Sequence, residues 1–286
     1  CELSAQAFIK AEYIGKSSYR DMNNEKTGGK GDAQIYSGGI NIPLSMRLNE
    51  NNRPVMWSIG VGGSYTSFNN HDIPSDLSPT EIMNAQLSLT HLRPISKKLS
   101  LLMSAGAGTY TAHTDVSRIG MKNVLGHGAV VFIWHVRDNL DLGIGPAINT
   151  TFGYPMAFPA LYLNWGLSGR YEVKVSMMNT LDVSAGMQLH KNFKLSIAVE
   201  MGGALALQHI EGKDMMFSHQ YMVAGLRPGI VLGKSLSIPI MAGISANRTA
   251  FYEERTLKAF FKGMSREYDP YFDVAPYVSA AIKYNF

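Results

Sequence analysis

The stretch YVSAAIKYNF, residues 277–286, decides the fold of this chain. One of its faces is apolar and consists of Val278, Ala280, Ile282, Tyr284 and Phe286. The other face is mostly polar and includes Ser279, Lys283 and Asn285. Strict alternation of this kind predicts a β-strand with one apolar side. Because the end of a chain frays unless other elements hold it, we expect another strand to pair with this one.

The same alternation recurs along almost the whole sequence. It is clearest in residues 82–92, 181–189, 194–202 and 236–246, where apolar side chains alternate with polar or small ones. No comparable stretch shows the spacing of three and four residues that is typical of an amphipathic helix. The pattern therefore predicts an all-β chain.

The composition indicates a membrane protein whose membrane-spanning segments are β-strands. Only 17% of the 286 residues are charged, while 45% are apolar, whereas a typical soluble domain carries roughly 25% charged residues. No apolar run approaches the ~20 residues that a spanning helix needs. The net charge of +4 comes without a long basic run, so nucleic acid is not an expected partner.

The connections between the predicted strands alternate in length. Short polar turns are expected at 49–53, 94–97, 137–139, 168–170, 190–192 and 233–234. Longer polar segments lie between them, at 17–32, 69–80, 113–122, 150–158, 208–218 and 251–271, and a near-tight turn at 178–179 interrupts the series. This asymmetry is typical of a transmembrane antiparallel β-barrel with short periplasmic turns and long extracellular loops.

The alternating segments give about 14 strands, with 12 as the fallback because those between residues 159 and 177 are short. The predicted strands are 7–15, 33–48, 54–67, 81–93, 98–112, 123–136, 139–149, 159–167, 171–177, 180–189, 193–207, 219–232, 235–249 and 272–286. An even number is typical of single-chain bacterial barrels and places both termini on the periplasmic side of the outer membrane. We expect one domain over residues 1–286.

The sequence of a soluble β-sandwich also alternates between apolar and polar residues. A sandwich needs a charged exterior, however, and this sequence has too few charged residues to form one. Aromatic residues instead cluster near strand ends, as the interfacial girdles of a membrane barrel require. They are Trp57, Tyr65, Phe68, Trp134, Phe158, Trp165, Tyr171, Tyr284 and Phe286. The sequence therefore favours the membrane barrel, with outer-membrane lipid as its surroundings.

The single cysteine, Cys1, has two interpretations. It is either the lipid-bearing first residue of a mature lipoprotein or part of a signal-peptide tail. The second interpretation rests on Ala5-Gln6-Ala7, which has the small-x-small form of a cleavage site. Residues 1–7 are then a lipidated N-terminus or a signal-peptide tail, and either places the protein outside the cytoplasm.

The closing strand has two expected roles. In a barrel the last strand must pair with the first, here residues 7–15, because an open edge in lipid leaves backbone groups unsatisfied. Residues 277–286 also resemble the C-terminal β-signal of bacterial outer-membrane proteins. That resemblance implies recognition by the barrel-assembly machinery, which would read Ile282, Tyr284 and Phe286.

The whole chain resembles an uncharacterised outer-membrane β-barrel domain family of Gram-negative bacteria. The matching features are EYIGKSSYRD at 12–21, the central DNLDLGIGPAINTTFGYPMAFPALYLNWGLSGRYEVKVSMMN at 138–179 and the closing strand. The resemblance lies in pattern more than in a sharp motif. It implies the fold and the location and says little about function, since a fold alone does not fix one.

No catalytic signature is present. The sequence lacks G-x-S-x-G and H-E-x-x-H, and its eight histidines are scattered without tight ligand spacing. His113, Asp115 and Ser117 form the one local cluster of suitable residue types, in a segment expected to be a solvated loop. We therefore predict that the chain is not an enzyme and that it needs no metal and no cofactor.

The polar faces of the strands place charges of both signs in the lumen. They are Lys10, Glu12, Arg47, Asp141, Glu172, Lys174, Asp182, Lys194, Glu200, Arg227 and Lys283. A strongly selective pore would show a bias of one sign. Two interpretations remain open: the charges pair and plug the barrel, or they line a narrow, weakly selective path.

Two functions follow from these alternatives. The first is a porin-like barrel that passes or binds a small solute, with residues 251–271 as the gate because they form the longest and most aromatic loop. The second is a structural or accessory subunit of a larger outer-membrane complex for barrel assembly, secretion or nutrient uptake. Its partners would be other outer-membrane proteins or lipoproteins.

Overall fold

The structure, a computed structural model, describes residues 6–50, 53–74, 77–177, 181–233 and 235–286. The predictions for Cys1 and for the turn at 178–179 lie outside these residues. The strands are β1 (Gln6–Arg20), β2 (Lys26–Leu48), β3 (Pro54–His71), β4 (Glu81–Pro94), β5 (Leu99–Thr111), β6 (Val124–Arg137), β7 (Leu140–Asn149), β8 (Met156–Leu167), β9 (Tyr171–Met177), β10 (Leu181–His190), β11 (Phe193–Ile210), β12 (Lys213–Leu232), β13 (Leu236–Glu254), β14 (Tyr271–Phe272) and β15 (Ala275–Asn285).

These strands form one closed antiparallel sheet in chain order. β14 and β15 both pair with β13 on one side and β1 on the other, so they occupy a single place in the ring. The 15 segments thus make a 14-stranded barrel, which confirms the predicted fold and strand number. Closure runs from Gln6 opposite Asn285 to Ile14 opposite Tyr277. The predicted pairing of the last strand with the first is therefore correct.

The alternation in sequence becomes alternation across the barrel wall. Apolar side chains on the outer face are well exposed to the surroundings, as for Ile9 (61%), Ile197 (62%) and Leu226 (54%). Their neighbours in sequence face the lumen and are more buried. A barrel with an apolar exterior of this kind is built to lie in lipid.

The two ends of the barrel differ, and we name them by their connections. At the turn end, short links follow β2, β4, β6, β8, β10 and β12, and both ends of the described chain lie here. At the loop end, the longest connections run through residues 112–123 and 255–270. Six of the nine predicted girdle aromatics lie at the turn end. Tyr65, Phe68 and Phe158 lie at the loop end, and Phe68 is not a girdle residue because it faces inward and is 7% exposed.

Two predicted loops are wrong in part. Segment 208–218 is mostly strand, because β11 continues to Ile210 and β12 begins at Lys213. The two residues between them, Glu211 and Gly212, have φ of 50° and 80°. Positive φ at both positions is the geometry of a tight type I′ hairpin turn, which extends the strand pair beyond the rest of the wall.

Segment 17–32 is likewise a hairpin, since β1 and β2 leave only residues 21–25 between them. Segment 251–271 begins as strand β13 and contains a short helix, α1 (Leu257–Met264). No helix among the described residues is long and apolar enough to cross a membrane. The remaining long connections are found where the sequence predicts them.

Candidate functional site: the closed lumen

At the turn end the lumen widens into a cavity of about 470 Å³, which we call the vestibule. Its charged lining consists of Lys10, Glu172, Lys174, Asp182, Lys194, Glu200, Arg227 and Lys283. Strand pairing explains their convergence. Asp182 lies opposite Glu200, and Lys283 lies opposite Ser237, and residues directly opposite in a sheet share a face.

Glu200 is the centre of an ion-pair network in this cavity. Its carboxylate accepts hydrogen bonds from Lys10 Nζ at 2.9 Å and from Arg227 Nη1 at 2.5 Å. Arg227 also lies 3.4 Å from Asp182, and Lys10 lies 3.0 Å from Glu12. Since Lys10 is on β1 and Glu200 on β11, which are not neighbouring strands, this network bridges the lumen and narrows it.

The vestibule holds more positive than negative charge. Five of its lining side chains are cationic and three are acidic, a net charge of +2, and the charge is still +1 when Glu12, which pairs with Lys10 above the lining, is counted. Lys174 reaches Asp182 only at 3.8 Å, and Lys283 makes no ion pair with any described residue. Lys283 nevertheless faces the cavity and remains open to solvent. Lys174 and Lys283 are thus the vestibule cations whose charge is least neutralised by nearby carboxylates.

Glu12 forms the ceiling of the vestibule. Its carboxylate accepts hydrogen bonds from the hydroxyls of Tyr221, at 3.3 Å, and Tyr277. The Glu12 side chain is only 6% exposed, so these bonds and Lys10 supply the partners that a buried carboxylate requires. The three side chains come from β1, β12 and β15 and meet in the lumen at this level.

Above the ceiling the lumen is filled by a packed core. Its largest fully buried side chains include Phe217, Arg248, Phe272 and His219. Arg248 donates to His219 Nε2 at 3.1 Å and to the Gly31 carbonyl at 3.1 Å, and its guanidinium lies 4.0 Å from the Phe272 ring centre. Among the described residues, these packed side chains occupy the lumen above the ceiling.

The connection 255–270 forms a lid over the loop end. Arg255 donates to the carbonyls of Thr151, at 2.7 Å, and Thr150, at 3.1 Å. Phe260 of α1 packs edge-on against Phe152, with ring centres 5.2 Å apart. The lid starts from β13 but contacts the β7–β8 connection on the far side of the ring, so it crosses the mouth of the barrel. The sequence predicts that residues 251–271 act as a gate, and that role stays a prediction.

One predicted lumen charge is misplaced. Arg47 lies opposite Val55, on the same outward face as Trp57. A β-bulge between Pro43 and Ser45 shifts the register of β2 and thereby reverses the alternation beyond it. Arg47 is therefore on the outer face near the turn end, where a long cationic side chain can reach the membrane surface.

The predicted assembly residues lie where a lipid-facing signal would be. Ile282, Tyr284 and Phe286 share the outer face of β15 and are 43%, 46% and 54% exposed. The rings of Tyr284 and Phe286 are stacked, with centres 5.7 Å apart. Their recognition by the assembly machinery stays a prediction.

The cluster of His113, Asp115 and Ser117 is not a catalytic arrangement. Asp115 accepts hydrogen bonds from the hydroxyl of Ser117 at 2.6 Å and from its backbone N–H at 3.0 Å. These bonds, with Arg118 nearby, hold the pKa of Asp115 below its ordinary value. The carboxylate is thus used to cap a 3₁₀ turn and does not orient the histidine.

The structure instead aligns a serine, a histidine and an aspartate that sequence reasoning missed. Ser100 Oγ lies 2.8 Å from His135 Nε2, and His135 Nδ1 lies 2.6 Å from Asp141 Oδ1. The order of atoms is that of a Ser-His-Asp triad. The three residues lie on β5, β6 and β7, and Ser100 is 35 residues from His135, so no short motif marks them.

The exposures of these residues do not suit catalysis. Ser100 is 5% exposed, whereas the side chains of His135 and Asp141 are 17% and 26% exposed. A nucleophile must be the accessible end of a triad. Here it is the least accessible member, so the chain of hydrogen bonds serves to tie three strands together at the turn end.

We expect a fluorophosphonate probe, which reacts with activated serines, to leave Ser100 unlabelled in folded protein. Intact-mass measurement after incubation checks this, with a serine hydrolase in the same detergent as the positive control. An adduct mapped to Ser100 and lost in His135→Ala would instead show that the serine is activated and accessible.

Among the described residues, no group of three or more histidine, cysteine, aspartate and glutamate side chains is placed to hold a metal ion. The functional geometry is therefore that of the lumen itself. A closed antiparallel barrel with an apolar exterior and charged residues in its lumen defines an integral β-barrel protein of the outer-membrane type.

Within that class the chain belongs to the family described as Domain of unknown function (DUF6268), whose model matches residues 1–285. The predicted resemblance to an outer-membrane barrel family without an established activity is thereby confirmed. A search of curated proteins gave no match to this chain.

Several solved outer-membrane barrels are similar in overall shape. The outer membrane channel COG4313 from Pseudomonas putida F1 is 7% identical with a TM-score of 0.45, over 100% of this chain and 97% of that one. The translocator domain of autotransporter NalP from Neisseria meningitidis is 12% identical with a TM-score of 0.37, over 100% and 90%. The outer membrane protease OmpT from Escherichia coli is 11% identical with a TM-score of 0.32, over 99% and 97%. Because these identities and TM-scores are low, the similarity does not indicate what this chain does.

Proposed function

We propose that this protein is a membrane barrel that binds a small anionic solute in its vestibule and is closed to ions at rest. The observation that carries the proposal is the excess of positive charge in an open cavity, with Lys283 unpaired and Lys174 only weakly paired. A cation in a confined cavity attracts anions more strongly than one on an open surface, because the protein walls screen it less.

Passage of the solute through the barrel requires two barriers to move. The first is the lid, held by Arg255 and by the contact of Phe260 with Phe152. The second is the packed core beneath it. The lid and the core are thus two barriers in series on the loop-end side of the vestibule.

The proposal predicts anion binding that depends on Lys283. We expect Lys283→Gln to weaken the binding of butanoate, a small carboxylate, by about tenfold or more, since a charge-assisted hydrogen bond contributes about 1.5–3 kcal/mol. Isothermal titration calorimetry on protein in phosphatidylcholine nanodiscs measures this. Binding should also weaken as salt is added.

Lys97→Gln is the matched control, because Lys97 lies exposed in the β4–β5 turn at the same end of the barrel. It should leave butanoate affinity unchanged. Equal loss in both variants would mean that the lysines act only through general charge, and absence of butanoate binding in the wild type would reject the anion site.

A second function, that of an accessory subunit, is favoured by one observation. Large apolar side chains are exposed at the loop end, including Val116 (69%), Met121 (84%), Phe261 (61%) and Met264 (70%). Exposed apolar groups outside the lipid are typical of protein contact surfaces. Partner outer-membrane proteins or lipoproteins would dock there, and co-purification that is lost in Phe261→Ser with Met264→Ser tests this.

A further inference from the structure

The barrel wall is split between β8 and β11 in its loop-end half. β9 and β10 are short, so β8 pairs with β9 only over Leu163–Leu167. β11 pairs with β10 only as far as Glu200. Among the described residues, the edges 156–162 of β8 and 201–210 of β11 therefore have no strand partner on the sides that flank the β9–β10 hairpin. We call this gap the side slot.

The β11 edge is turned inward. The Asn123 amide donates to the Leu207 carbonyl at 2.9 Å. The Asn84 amide, with its nitrogen facing the strand, reaches the Leu205 carbonyl at 2.8 Å. Asn84 is a lumen-facing residue of β4, and β11 also contacts β5. Side chains from across the lumen thus satisfy backbone groups that lipid could not.

The β8 edge has the sequence of an edge strand. Its residues read MAFPALY, and Pro159 lies opposite Pro146 of β7. Proline is confined to edges and bulges of sheets because it has no N–H group to donate. The facing edge of β11 reads MGGALALQHI. The slot is therefore bordered almost entirely by apolar side chains, among them Leu161 (53% exposed) and Met201 (41% exposed).

The vestibule begins directly below the slot. Asp182, near the upper end of β10, lies opposite Glu200, the last β11 residue that pairs with this hairpin. Lys174 lies two pairs further toward the turn end, opposite Ser184. The apolar edges of the side slot thus stand above a cavity with net positive charge, since Glu200 lines the cavity and the next residue, Met201, begins the free β11 edge.

From this juxtaposition we infer that the ligand of the vestibule is an amphipathic anion, a carboxylate with one hydrocarbon chain that enters through the side slot. The carboxylate lies near Lys174 and Lys283, and the chain lies between the β8 and β11 edges. The inference rests on the proposed anion binding and adds the apolar half of the ligand and its route. The lysines favour the carboxylate through charge complementarity, and the apolar borders of the side slot favour the hydrocarbon chain.

The test compares butanoate with octanoate by calorimetry on the wild-type protein in phosphatidylcholine nanodiscs, with empty nanodiscs subtracted. Octanoate should bind about tenfold tighter or more, because each methylene removed from water adds to affinity. The variant Phe158→Asn with Met201→Asn places polar groups on both borders of the slot. It should reduce this ratio toward one and leave butanoate affinity as it is.

Leu226→Asn is the control, because Leu226 faces lipid on β12, where both neighbouring strands are paired. It should keep the wild-type ratio. Equal affinities for the two acids in the wild type would overturn the side-slot inference and leave anion binding intact. An unchanged ratio in the slot variant would also overturn it, because the chain would then lie elsewhere. Failure of both acids to bind would reject the anion site itself.

Discussion

Glu200→Ala is expected to destabilise the barrel by about 3 kcal/mol. Breaking a buried ion pair by removing one partner costs about 3–5 kcal/mol, and the lower end applies because the Glu200 side chain keeps 20% exposure. The variant leaves Lys10 and Arg227 facing each other without the carboxylate that holds them. The unfolding equilibrium should shift by about a hundredfold. Guanidinium unfolding in detergent, followed by circular dichroism, measures the change.

Glu172→Ala provides the matched control. Glu172 also accepts from a lysine, Lys194, at 2.8 Å, but the two side chains are 39% and 40% exposed. Exposed pairs contribute about 0–1 kcal/mol, so this variant should unfold almost as the wild type does. Equal and small effects of both substitutions would mean that water screens the whole network and that Glu200 does not organise the lumen.

The fold could be predicted from the sequence because lipid imposes a simple rule. Every spanning residue must face either lipid or lumen, and backbone groups must pair, so alternation and connection length nearly determine a barrel. The strand β15 shows this well, since its predicted outer face, Val278 to Tyr284, is the exposed one. The loops were harder to predict from the sequence, because a β-hairpin that extends beyond the membrane is as polar as an irregular loop. Glu211 and Gly212 were the available signal for the turn that joins β11 and β12.

The site was less predictable, for a physical reason. Alternation indicates which side chains face inward, but it does not indicate which of them meet across the lumen. Lys10 and Glu200 are far apart in sequence, and their contact depends on which strands approach each other across the lumen, as β11 approaches β4 and β5. A single bulge was enough to move Arg47 to the other face. The side slot follows from a length mismatch between β9–β10 and their neighbours, which only the register reveals.

Packing across the lumen also determines how the barrel is closed. The sequence left open whether paired charges plug the lumen or residues 251–271 gate a narrow path. The structure places Phe217 and Phe272, which are 0% and 2% exposed, in the lumen beneath the lid. A channel opens only as far as its narrowest constriction allows. The core therefore limits conductance even when the lid is absent.

We consequently expect wild-type protein to give no current steps in a planar lipid bilayer. A variant with residues 257–264 replaced by a Gly-Ser linker should also stay silent, because the core still fills the lumen. Adding Phe217→Ala and Phe272→Ala to that variant should produce discrete steps. Each Phe→Ala change costs about 3–5 kcal/mol, so heat-modifiable mobility on gels must first show that the barrel is folded. Steps on lid replacement alone would identify the lid as the only barrier. Silence of a folded triple variant would place the barrier at the Glu12 ceiling, where Tyr221 and Tyr277 converge.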